Sequence, residues 1–394
     1  MKIGIYISGL GQSFQQESIV KYNTRLMNEM NYNATGVKYE LKTEKISYAP
    51  AKESNVVSIV ENKAGAKKTI YKMYEFCYHD LLTEKFNQCN IFVRSFSLLF
   101  LVLKKIPILI KRLFIRGNYN QPVQTFYIFI MFFVVAASIL FTIPAVLQIL
   151  FNTLTTPEVQ KYVPLGLNSE WIKTSTDIFV SFVATILVFL PSSRSFVTRL
   201  STEFICINDY LEFGSQSQEV LGNLDLLVEY IAENEPDPKI HYHTYSCGSI
   251  IAIDYLFQFG NVPSGNSQKL SELLVTIGSP YEFVKAYYPH YYEKRNNLLE
   301  KQITWINVYS IADALATNFR KDGSRGEAEF SFPDFNELKP YNINYEVSPV
   351  KGFNLFNFLS LYNLKVHSSY WDNAVEGQSC LRLIHNELKG RNLL

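Results

Sequence analysis

From Gly117 to Pro157 the chain carries no Asp, Glu, Lys or Arg, and within that interval FYIFIMFFVVAASILFTIPAVLQILF is apolar for 26 residues. Wound as a helix, such a run is roughly 39 Å long, more than the ~30 Å hydrocarbon core of a bilayer. The alternative, a buried core helix, keeps a polar stripe and seldom runs so long. Pro144 would kink the helix rather than end it. A second run, DIFVSFVATILVFLP (Asp177–Pro191), reaches a spanning length of about 19 residues with its flanking Ser and Thr. Trp171 stands at the interfacial level before it. The sequence therefore predicts a transmembrane hairpin, with helices over 124–151 and 172–191 and a loop over 152–171. Ahead of it, FSLLFLVLKKIPILIKRLFIRG is interrupted by Lys104, Lys105, Lys111, Arg112 and Arg116. That stretch, 96–116, reads as a basic interfacial helix; a helix docked on the protein surface is the plainer reading.

Arg194 and Arg199 add to the basic side, whereas the connecting loop is mostly neutral. The positive-inside rule then places both hairpin ends in the cytoplasm. A two-pass integral membrane protein is expected, with a soluble part built from 1–95 and 195–394 and interrupted by the insert 96–194. Five scattered cysteines without a C-x-x-C pair agree with a reducing compartment. A net charge of +1 argues against nucleic acid as a partner, since that needs a basic face. No H-E-x-x-H, carboxylate cluster or phosphate-binding G-x-x-x-x-G-K-[ST] loop occurs in the sequence, so neither a metal nor a cofactor is expected. The opening MKIGIYISGLG has too short an apolar run for a signal peptide and reads as a strand ending in a glycine turn.

Beyond the insert, Leu200–Asn234 reads as helical with a break near Gly214. KIHYHTYS (239–246) reads as a strand, Cys247–Phe259 as a helix, and LLVTIGSP (273–280) and ITWINVYS (303–310) as strands. INYEVSP (343–349) reads as a fourth strand and Gly377–Leu394 as a closing helix. Alternating strands and helices predict an α/β fold, a mostly parallel sheet with helices on both faces. In such a sheet ligands gather at the carboxyl ends of the strands. Ser246, Asp313 and His367 all fall just after strands. A serine needs a histidine to take its proton, and the histidine needs a carboxylate to fix its tautomer and stabilise the imidazolium.

Each of these residues also has a plainer reading. Ser246 could cap a helix, and Asp313 could cap ALATNF. Asp254 and Asp372 are rival acids, and His79, His241, His243, His290 and His385 are rival bases. His241 and His243 alternate along the elbow strand and should lie within the layers of the sheet. The Tyr-rich segment 280–301 could rim a pocket or simply cover a surface.

HTYSCGS followed by IIAIDYL, together with VTIGSP, WINVYSIAD, VHSSYW and INDYLEF, resembles the α/β-hydrolase superfamily, its lipase and esterase side in particular. The resemblance covers the first eighty residues loosely and Ile207–Trp371 more closely. It implies Ser246 as nucleophile, Asp313 as acid partner and His367 as general base. It also implies an oxyanion hole from the backbone N–H of Cys247 and of Leu10 or Gly11 in the first glycine turn. One position departs from the G-x-S-x-G pattern: Thr244 replaces the first glycine, which predicts a slightly opened elbow. The expected activity is hydrolysis of acyl esters of membrane lipids, with those lipids also as anchor. Two alternatives remain: a thioesterase or depalmitoylase on the same triad, and an inactive hydrolase-fold scaffold associating through its hairpin.

Overall fold

The computed structural model describes residues 2–10, 18–82, 100–101, 103–107, 110–111, 206–212, 214–320, 322, 324–346, 366–372 and 374–394. The chain divides into two compact units. One comprises Met1–Leu82, Asn118–Gln121 and Asp209–Leu394, and the other Thr83–Gly117 and Pro122–Asn208.

The first unit is an α/β structure around one mixed, mostly parallel sheet. Its elements run β1 (Lys2–Ile7), α1 (Ile19–Tyr32), β2 (Lys38–Ala49), β3 (Lys52–Lys63), β4 (Ala66–Glu75), α2 (Ser215–Asn234), β5 (Lys239–Tyr245), α3 (Cys247–Leu256), α4 (Gly265–Leu270), β6 (Ser271–Ile277), α5 (Tyr281–Tyr287), β7 (Thr304–Tyr309), β8 (Gly326–Glu327), β9 (Tyr341–Asn344) and α6 (Leu381–Gly390). The strand order is β2-β3-β4-β1-β5-β6-β7-β9-β8. From β4 to β9 every pairing is parallel, and antiparallel pairs add β2 and β3 at one edge and β8 at the other.

The central strands read as near-continuous apolar runs because both faces are covered. Ile3 to Ile7, Ile240 to Tyr245 and Leu273 to Ile277 are buried throughout. Successive residues of a strand point to opposite faces. On β5, His243 meets Tyr22 of α1, whereas Tyr242 lies against Tyr255 of α3 with ring centroids 6.1 Å apart. Helices α1 and α6 therefore share one face, and α2 and α3 the other. The β3–β4 hairpin turns through Ala64 and Gly65, both left-handed, as a tight two-residue hairpin requires. The first three β-hairpin strands, 38–75, were not foreseen. The expected fourth strand sits earlier than INYEVSP suggests, at Tyr341–Asn344. The Tyr-rich segment does not rim a pocket with its ring cluster: Tyr281, Tyr287, Tyr291 and Tyr292 are buried, and Tyr281 stacks on Tyr292 at 3.9 Å.

A polar chain crosses the α1 face of the sheet. The Tyr22 hydroxyl donates to His243 Nδ1 at 2.8 Å, and His243 Nε2–H donates to the Tyr71 oxygen at 2.7 Å. Tyr71 in turn donates to His241 Nδ1 at 3.1 Å, and His241 Nε2–H donates to Glu272 at 2.9 Å. This single direction satisfies every member with both imidazoles neutral; the tautomers follow from the network. The chain ends at Lys2, which pairs with Glu272. The two histidines thus lie within the layers of the sheet, as their alternation implied.

In the second unit, the described residues 100–101, 103–107 and 110 are helical. Phe100, Leu103 and Ile110 are exposed, but Lys105 is buried, so the five cations of 96–116 do not all face outward. The two-pass membrane location with a cytoplasmic remainder is corrected: among the described residues no helix is long and apolar enough to cross a membrane. The longest, α2, has 20 residues but carries Glu219, Asp225, Glu229 and Glu233, too many carboxylates for a hydrocarbon core. The two apolar runs 124–151 and 172–191 and the loop 152–171 lie outside the described residues.

Burial, with His241 nearby, pushes His243 down to about 3, and burial also lowers His241. Between about 6.5 and about 3 the unfolded chain therefore binds more protons than the folded one, and stability rises with pH. The unfolding free energy from urea titrations should fall as the pH drops through this window, by up to ~1.4 kcal/mol per pH unit for each proton taken up. His243→Gln should be less stable at neutral pH but show a flatter decline; an unchanged slope would refute the assignment.

Candidate active site

Ser246 follows β5 directly, Asp313 lies four residues beyond β7, and His367 lies in the short 3-10 turn Val366–Ser368. Beyond the last residue of β5, the Ser246 N–H donates to the Ile277 carbonyl of β6 at 2.9 Å. Beyond β6, the Gly278 N–H donates to the Val308 carbonyl of β7 at 2.9 Å. The chain then turns from β5 into α3 at Ser246 itself, with φ 50° and ψ −125°. A non-glycine residue held in such a conformation is strained and persists only where its surroundings determine it. Ser246 occupies the N-cap position of α3, but its side chain forms no capping bond there. Gly248 makes the tight turn possible: a Cβ there would collide with the Ile7 carbonyl oxygen and come within 2.6 Å of that of Ser8.

Ser246 Oγ lies 2.7 Å from His367 Nε2, and His367 Nδ1 lies 2.8 Å from Asp313 Oδ2. Residues 67 and 121 positions apart in sequence thus form one hydrogen-bonded line. Nδ1–H donates to the carboxylate, which leaves Nε2 as the acceptor for the serine proton. The Asp313 side chain is fully buried, and that of His367 is 13% exposed, enough to meet a reactant. Asp313 does not cap a helix, for residues 314–319 are not helical. Its Oδ1 instead accepts the Leu315 N–H at 2.9 Å, leaving Oδ2 to the histidine.

Two tyrosines complete the arrangement, and neither carries a recognisable signal in the amino-acid pattern. The Tyr370 hydroxyl donates to Asp313 Oδ2 at 2.8 Å and accepts the Ser310 N–H at 3.1 Å. Tyr245 stacks on the His367 ring at 5.4 Å, and its hydroxyl donates to the His367 carbonyl. Glu346 steadies the turn before the acid, accepting from Ser310 Oγ at 3.0 Å and from the Ile311 N–H at 2.6 Å.

The expected oxyanion donors are described in part. Cys247 is the first residue of α3, at the positive end of the helix. Leu10 is buried in the turn after β1. That turn lies against the serine, since a Cβ on Gly9 would be 3.0 Å from Ser246 Cβ. Tyr78 fixes the turn by donating to the Ser8 carbonyl at 2.8 Å. Gly11 lies outside the described residues.

Thr244 leaves the elbow intact. Its side chain is buried, with Oγ1 2.9 Å from the Val275 carbonyl and 3.0 Å from Ser249 Oγ in the first turn of α3. The rival residues are engaged elsewhere. Asp254 is paired with Arg295 at 2.7 Å and accepts from Tyr291. Asp372 Oδ2 accepts the Gln378 N–H at 3.0 Å. His290 faces Glu293 at the surface, His79 lies 3.7 Å from Asp80, and His385 is buried on α6. Among the described residues no group of His, Cys, Asp and Glu is arranged to hold a metal ion. Compared with known proteins, the chain matches no family model, no curated protein and no solved structure.

Gly278 has φ +59°, and a Cβ there would lie 2.9 Å from Tyr370 Cε2 and 3.2 Å from His367 Cε1. Gly278→Ala should cost about 1–3 kcal/mol in denaturant unfolding, from strain and displaced neighbours. It should also slow reaction of Ser246 with a fluorophosphonate by at least about tenfold, because the imidazole is displaced. Unchanged values of both would disprove the claimed contact.

Proposed function

We propose that this chain is a serine hydrolase of the α/β-hydrolase type that cleaves acyl esters, with lipids as its substrates. The hydrogen-bonded line from Ser246 through His367 to Asp313, starting at a strained strand-to-helix turn, is the observation that carries the reading. Its chain order of Ser, Asp and His is the order of that family. The sheet supports it too, since the strand bearing the glycine turn, β1, pairs directly with the nucleophile strand β5. The lipid part rests on the sequence, where the apolar-rich insert interrupts the hydrolase-like segments.

In the proposed reaction Ser246 Oγ attacks the ester carbonyl while His367 Nε2 takes its proton. The carbonyl oxygen becomes an oxyanion held by the Cys247 N–H and an N–H of the turn after β1. Collapse of this intermediate breaks the ester C–O bond, and the imidazolium returns its proton to the departing alcohol. Water, deprotonated by the same nitrogen, attacks the acyl-serine, and its collapse releases the carboxylic acid and restores the hydroxyl. Asp313 keeps its charge throughout and stabilises the imidazolium.

Labelling of the purified full-length chain with a fluorophosphonate should be complete and confined to Ser246. Ser246→Ala should abolish it, and His367→Ala should slow it by about 10³-fold or more. A parent that resists labelling as fully as Ser246→Ala would indicate a hydrolase-shaped scaffold instead. A panel of long-chain acyl esters and acyl thioesters tests the bond cleaved: faster turnover of the thioesters would replace the esterase reading by a thioesterase one.

A further inference from the structure

We propose that Tyr370 is a positioning residue that sets the basicity of His367 through the carboxylate the two share. The inference rests on the hydrolase reading for its catalytic meaning, but the contact itself can be tested without turnover. Tyr370 is fully buried, and its hydroxyl has two partners of opposite kind. It accepts the Ser310 N–H at 3.1 Å, so its own proton is directed to Asp313 Oδ2 at 2.8 Å. Burial, with Asp313 beside it, pushes the phenol well above its ordinary value, so it remains a donor across the working pH range.

The same Oδ2 takes the Nδ1 proton of His367 at 2.8 Å. Two donors therefore compete for one oxygen, while Oδ1 is occupied by the Leu315 N–H. A hydrogen bond to the ionised carboxylate disperses its charge and weakens its hold on an imidazolium. Among the described residues, the groups at the ring are these. Ser246 lies at Nε2, the Tyr245 ring stacks on one face, Tyr370 meets it edge-on at 6.5 Å, and Gly278 closes the side at Cε1. Glu346 reaches the acid turn only through Ser310 and Ile311. Tyr245 contacts the histidine at its backbone carbonyl and ring, whereas Tyr370 binds the carboxylate.

Removing the Tyr370 hydroxyl should leave Asp313 a stronger partner for the protonated base. In Tyr370→Phe the low-field Nδ1 proton of His367, assigned by its loss in His367→Gln, should move further downfield. The pH at which the imidazolium signal appears should rise by about half a unit or more. The acid limb of the fluorophosphonate labelling rate should move up with it. Incorporation of 3,5-difluorotyrosine at 370 keeps the shape and strengthens the donor, so it should shift both readouts the opposite way; it covers the case in which Tyr370→Phe fails to fold.

Opposite shifts from the two Tyr370 changes support the proposal, even if the parent resists labelling, a result that would count against the hydrolase reading alone. A difluorotyrosine protein whose His367 resonance and titration match the parent overturns the proposal while leaving that reading intact.

Discussion

Parallel pairing in a common register is the constraint on which the rest of this molecule depends. Lys2 to Ile7 of β1 lie beside Lys239 to Thr244 of β5, which lies beside β6, then β7, then β9. The pairing continues past the strand ends as single backbone bonds: Phe76 to Tyr6, Ser246 to Ile277, Gly278 to Val308 and Tyr345 to Tyr309. These bonds fix the first residue of each connecting turn in relation to its neighbour. Side chains separated by more than a hundred residues then meet within hydrogen-bonding distance without any local sequence pattern to join them.

The two ends of β5 serve different purposes. Toward its start, His241 and His243 belong to a buried, fully satisfied polar chain anchored at Glu272. At its finish, Tyr245 and Ser246 meet His367. Buried polar groups are costly unless every donor and acceptor is matched, and a matched network specifies one arrangement of its parts. The polar chain ties β4, β5, β6 and α1 together under the site. A strand so fixed at its base can hold a strained residue at its tip.

Much of this was legible in the sequence. Apolar runs marked β1, β5, β6 and β7, because strands covered on both faces need no alternation. Ser246 and Asp313 were legible as residues following strands; His367 was read in the same way, but it lies in the turn Val366–Ser368, well beyond the end of β9 at Asn344. The hairpins of 38–75 were not, since strands such as KYELKTEKISYA are half exposed and carry many charges. Tyr245 and Tyr370 could not be read either. A tyrosine in an apolar setting usually denotes a core, and only the geometry shows its hydroxyl on a carboxylate or a carbonyl. The long apolar runs pointed to a membrane location; among the described residues no helix is long and apolar enough to cross a membrane, and the runs themselves lie outside those residues.

Thr244 changes how such turns are best recognised. Its hydroxyl sits between the β6 backbone and Ser249 in the first turn of α3, so a side chain at this position is accommodated with its polar atom partnered. What the bend does require is room for α3 against β1, supplied at Gly248, and a pair of torsion angles at Ser246. A search written in letters would pass over this chain; one written in dihedrals and close approaches would stop at position 246.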